Sequence, residues 1–103
     1  MVFINKQAYV DLDFILIGML EWDKSELSFE FIENYIDEIV DECYKLEKLS
    51  YHFNAKYSSH KIFGSKIHRY KRNNRTVWYL IYNIDNEGNI FINRIISNHT
   101  TTG

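Results

Sequence analysis

Between Lys66 and Arg75 the chain carries Lys66, Arg69, Lys71, Arg72 and Arg75, with His68 among them: five cations and a histidine in ten residues. Tyr70 lies inside this run and Trp78 just beyond it. Cations attract phosphate without reading base sequence, and aromatic faces offer stacking to unpaired bases. The combination suits single-stranded or loosely structured RNA better than duplex DNA, since no candidate recognition helix carries positive charge. The same charges would also protect an exposed β-edge from aggregation, and both readings stand at this point.

Histidines occupy positions 52, 60, 68 and 99. They form no helical two-histidine pair and no His/Cys cluster with ligand spacing, so no metal site and no cofactor are expected. Imidazole exchanges its proton near neutral pH, which is what metal-independent RNA cleavage requires. In that reaction a base takes the 2′-OH proton, the oxygen attacks phosphorus, and an acid protonates the departing 5′ oxygen. Cations meet the charge that builds on the phosphorane. His68, set among Arg69, Lys71 and Arg72, and His99, after the last apolar run, are the candidate acid and base. His52 and His60 fall in a connecting stretch.

Elements that would position these groups are readable from periodicity. Val2 to Asn5 has the length of a brief strand, with Asn5 able to cap a helix beginning at Lys6. Val10, Phe14, Ile17, Ile15 and Met19 suit a helix from Lys6 to about Trp22, although Asp11 and Asp13 interrupt the apolar pattern. A second helix is predicted after Ser28 as N-cap, with Ile32, Ile36, Ile39, Val40, Cys43 and Leu46 on one stripe near period 3.6. Cys43, on that stripe, reads as a small core residue. Ser50 to Gly64 reads as a polar loop. Lys66 to Arg72, Thr76 to Ile84 and Asn89 to Ser97 then read as three strands joined by turns at Asn73-Asn74 and Asp85-Asn86-Glu87-Gly88. The order is β-α-α-β-β-β, an α+β domain with two helices on one face of a small, mostly antiparallel sheet.

The 103 residues suit a single domain over 1–103, and the 17% of aromatic residues can build a core at this size. The net charge of −2 hides an asymmetry. Residues 1–51 hold four Lys against twelve acids, a net −8, whereas residues 52–103 hold four Lys and four Arg against two acids, a net +6. Such asymmetry points to a basic working surface in the second half, unless acidic helices simply balance a basic sheet. With one cysteine there is no internal disulfide. No run is long enough to span a membrane and no secretory signal is evident, so a cytoplasmic location is the expectation.

Taken together, Lys66-Ile67-His68-Arg69-Tyr70, the strand Trp78-Tyr79-Leu80-Ile81-Tyr82-Asn83-Ile84-Asp85 and the closing Ile90-Phe91-Ile92-Asn93-Arg94-Ile95-Ile96 with its late His99 resemble the RelE/ParE superfamily of bacterial toxin–antitoxin toxins. The resemblance covers nearly the whole chain. It implies a compact fold with helices on one sheet face, a concave basic surface, and a cognate antitoxin that covers that surface. RelE-like members cleave messenger RNA on the ribosome; ParE-like members inhibit DNA gyrase without nuclease activity. On this basis His99, His68 and Arg75 are the candidate catalytic residues, and Lys66, Arg69, Tyr70, Lys71, Arg72 and Trp78 the candidate RNA and phosphate binders. The family places an arginine three residues before the tyrosine that ends the middle strand. Tyr79 stands there in this chain, with Arg75 or Arg69 as the substitute.

Overall fold

A computed structural model describes residues 1–22 and 28–98, the side chain of Trp22 excepted. The elements are β1 (Val2–Ile4), α1 (Lys6–Trp22), α2 (Phe29–Lys45), a 3-10 turn (Leu46–Lys48), β2 (Phe53–Asn54), α3 (Ser58–Lys61), β3 (Lys66–Lys71), β4 (Val77–Ile84) and β5 (Ile90–Ser97). The strands form one mixed sheet in the order β1-β5-β4-β3-β2, with β1 parallel to β5 and the other pairs antiparallel. This is an α+β domain. The polar stretch Ser50 to Gly64, expected as a plain loop, contains the two-residue β2 and the single-turn α3, so the described chain has three α-helices rather than two.

Helix α2 forms as its stripe requires. Ser28 Oγ accepts from the Phe31 amide at 3.1 Å, satisfying one of the first-turn donors. Ile32, Ile39, Cys43 and Leu46 are buried, and Ile36 and Val40 partly so. Ile36, Ile39, Val40, Cys43 and Leu46 pack with Trp78, Leu80 and Tyr82 of β4 and Ile90, Ile92 and Ile95 of β5, together with Ala8 and Leu12 of α1. Strand alternation sends every second residue of β4 into this core. Burial pushes the Cys43 thiol up to about 12, which keeps it protonated and unreactive near neutral pH.

Helix α1 lies against β5 and α2. Asp11, which interrupted the apolar pattern, is buried at 7% exposure and serves the sheet. Pairing of β1 with β5 ends at Ile92, and beyond that point Asp11 Oδ2 accepts from the Ile95 amide at 2.8 Å. The same carboxylate takes Arg94 Nε at 2.8 Å and its second guanidinium nitrogen at 3.2 Å. Asp13 is exposed. The Asn5 carbonyl accepts from the Tyr9 amide at 3.1 Å to begin the helix, while the Asn5 side-chain amide donates to Asn93.

Both predicted hairpins are present. Asn73 Oδ1 accepts from the amides of Arg75 and Thr76, each at 2.9 Å, closing the first. In the second, Asp85 receives the amides of Glu87 and Asn89, and Gly88 takes a φ of 84°, a conformation that favours glycine.

Candidate nucleic-acid surface

Alternation along β3 divides the basic run between two faces of the sheet. His68 and Tyr70 pair across the ladder with Leu80 and Trp78, so they share the face covered by the helices. Arg69 and Lys71 pair with Tyr79 and Val77 and lie on the opposite face. The ten-residue cluster is therefore not one continuous surface.

On the helix side, carboxylates of α2 meet the basic strand. His68 Nε2 lies 3.2 Å from Glu42 Oε2, and Tyr70 OH donates to Glu38 at 3.4 Å. Arg72 pairs with Glu38 at 3.2 Å while its guanidinium sits 4.7 Å from the Tyr35 ring centre. Trp78 is buried, and its indole N–H donates to Tyr35 OH at 3.0 Å. Burial, and then the charge of Glu38, raises the Tyr70 hydroxyl above its usual range. Part of the charge asymmetry between the chain halves is thus spent inside the fold, where acidic helix meets basic sheet. The catalytic candidate His68 and the candidate binders Tyr70, Arg72 and Trp78 thus act as side-chain bridges between α2 and the sheet.

Lys66 donates to Asn54 Oδ1 at 2.6 Å, tying β3 to β2. Nearby, His52 Nδ1 and the buried Tyr82 hydroxyl are 2.7 Å apart. Burial raises the Tyr82 hydroxyl to about 12, so it remains a donor and neutral His52 accepts. Burial, then the charges of Lys66 and His68, hold His52 below the usual histidine value. The unfolded chain therefore takes up a proton that the folded chain resists. The stability that His52 contributes is complete above the unfolded value of about 6.5 and is lost as pH falls through the lower folded value. Thermal melts between pH 8 and pH 5 should show a steeper loss for the native protein than for His52→Gln; parallel curves would contradict this role.

The opposite face holds two β3 cations that make no ion pair among the described residues. Arg69 and Lys71 are exposed there, with Tyr79 of β4 paired opposite Arg69 and residues between Phe53 and His60 lining the space over it. Ile67, Arg69 and Tyr79 form the floor of a cavity of about 320 Å³, walled by Phe53, Asn54, Lys56, Tyr57 and His60. His60 is 7% exposed, edge-on to Tyr57 with centroids 5.7 Å apart and tilted over Tyr79 at 5.2 Å. Its Nδ1 is buried without a hydrogen-bond partner among the described residues.

Arg75 lies exposed in the β3–β4 turn, where its carbonyl accepts from Asn98 Nδ2 at 3.0 Å. His99 lies outside the described residues. No group of three or more His, Cys, Asp or Glu suited to hold a metal ion occurs among the described residues. The wall of the cavity escaped the sequence reading, because Phe53 and His60 sit in elements too short to show a period and Tyr57 lies just ahead of α3. The signal that was present, a histidine three residues after a tyrosine, acquires meaning only once Tyr79 lies beneath it.

No family model matches the chain, and neither a curated protein nor a solved structure is detectably similar to it.

Proposed function

We propose that this protein is a RelE/ParE-like toxin that acts on messenger RNA at the ribosome as a metal-independent endoribonuclease. The observation that carries the reading is the division of the sheet. Two helices occupy one face, and on the other Arg69 and Lys71 stand exposed beside Tyr79. Unpaired cations next to an aromatic ring are what a single strand needs, with phosphates held by charge and bases by stacking. Arg69 and Arg75 are the residues proposed to neutralise the reacting phosphate, and His99 the acid or base. In this state His68 is engaged by Glu42 and serves the fold.

The partner proposed is an antitoxin. A second, apolar groove of about 660 Å³ runs between α1, the start of α2 and the end of the sheet, bordered by the exposed Phe14 and Phe31. A partly disordered chain could bury these side chains on binding. No helix among the described residues is long and apolar enough to cross a membrane.

Tyr79 in place of the family's arginine favours a second reading, a ParE-like toxin that binds DNA gyrase without cutting RNA. Induced expression in a bacterial host followed by primer extension on total RNA separates the two. Growth arrest accompanied by new 5′ ends within translated messages is expected. Arrest without new ends would replace the nuclease by the gyrase reading, and unimpaired growth would remove the toxin assignment altogether.

A further inference from the structure

The cavity over Tyr79 combines features that a bare basic strand lacks. Four rings (Phe53, Tyr57, His60 and Tyr79) line it, and two cationic side chains, Arg69 and Lys56, reach its border. About 320 Å³ is at the small end of ligand-site volumes, enough for one nucleotide unit but not for a folded partner. One of its lining residues, His60, also carries an unmet polar requirement. His60 Nδ1 is shut away from water with no partner among the described residues, on a side chain that is 7% exposed. Buried polar atoms are nearly always paired, and an orphan calls for an explanation. A half-turn of the imidazole about its last side-chain bond exchanges nitrogen and carbon within nearly the same outline. A donor or acceptor brought in by a ligand can therefore recover the bond that the free protein leaves unmade.

We propose that this cavity binds a single unpaired nucleotide of an RNA strand, its base among the rings of Tyr57, His60 and Tyr79 and its phosphate on Arg69 and Lys56. The inference rests on the RNA reading given above and adds the place where one base is held. Stacking supplies affinity for any base. The imidazole nitrogen supplies a preference, because a base edge that cannot meet it leaves a buried polar atom unpaired. Bases on either side of the seated one stay on the open sheet near Lys71. The seated nucleotide thereby fixes the register of the strand against the exposed cations.

A six-nucleotide RNA carrying 2-aminopurine at one position tests this by fluorescence titration against purified protein. The native protein is expected to bind it with a change in emission that reports stacking. Arg69→Gln, at an exposed position, should weaken binding about tenfold, the loss of one charge-assisted phosphate contact. It should also reduce the salt dependence by about one phosphate contact, roughly 0.7 in slope. His60→Phe keeps a ring of similar outline and should abolish any preference among oligonucleotides that differ at the seated base. Binding by the native protein that both variants match in affinity, salt slope and base preference overturns the cavity assignment while leaving the RNA reading in place. No binding of RNA by the native protein overturns both. Thermal melts of the variants accompany the titrations. If His60→Phe melts early, the decision rests on Tyr57→Leu, which removes an exposed ring of the same cavity and should weaken binding and the change in emission. A native-like titration by it overturns the cavity assignment.

Discussion

Replacing Asp11 by alanine is expected to lower the unfolding free energy by about 3–5 kcal/mol, the range for removing one partner of a buried charged pair. One carboxylate accepts four hydrogen bonds, two from Arg94, one from the Ile95 amide and a longer one at 3.4 Å from the Gln7 side chain. Alanine leaves the amide without its acceptor and a guanidinium, half-enclosed against the Phe63 ring at 4.5 Å, without its counter-charge. Desolvation already incurred by those groups is then no longer offset. Asp11→Asn preserves the shape and one acceptor oxygen, so its loss should be smaller. Urea denaturation of the two variants measures the difference. If Asp11→Ala loses less than about 1 kcal/mol, a figure typical of an exposed ion pair, the carboxylate is not what secures this edge of the sheet.

Gly64→Val is the second change expected to act strongly, at about 2–3 kcal/mol, toward the upper end for overpacking. Gly64 is buried where the chain passes from α3 into β3. A Cβ at this position would lie 2.9 Å from the Tyr82 carbonyl oxygen, 3.0 Å from Ile81 Cγ2 and 3.2 Å from the Tyr82 carbonyl carbon. Two of these three neighbours are backbone of the central strand, which cannot turn aside as a flexible side chain would. The crossing segment must lift instead. Ser65, whose amide and hydroxyl both donate to Asn83 Oδ1 at 2.9 and 3.1 Å, would lift with it. The effect should therefore reach the cavity wall at His60 as well as the melting temperature. Denaturation and the fluorescence titration on the same variant would detect both, and a valine tolerated without change in either would refute the close approach as a constraint.

These sites also show what could be read in the residues beforehand. The stripe of α2 and the three later strands are long enough to repeat their periods several times, and they appear where periodicity placed them. Asp11 was visible as an interruption of an apolar pattern, but its purpose depends on Ile95, 84 positions later. The basic run was read as one field although it alternates, and alternation is what divides Arg69 and Lys71 from His68 and Tyr70. Which row would meet acidic side chains depended on where α2 lies, and that is settled by packing rather than by any local preference. The cavity was the least legible feature. It is assembled from a two-residue strand, one helical turn and a tyrosine from another strand, and no single segment carries its pattern.

The placement of β1 has a consequence for how the protein is made. Val2, Phe3 and Ile4 find their hydrogen-bond partners in Ile90, Phe91 and Ile92, and Asp11 finds Arg94 and Ile95. A chain emerging from the ribosome in order holds these residues unpartnered until β5 has been synthesised. Closing so long a loop carries an entropic cost that only these late contacts repay. The helices and the β3–β4 hairpin can form early from local contacts, whereas the outer strand and the cap on β5 come last. Completion of the domain is thus tied to the synthesis of β5. A nascent chain stopped before β5 would carry the basic hairpin but not the sheet that holds it in place.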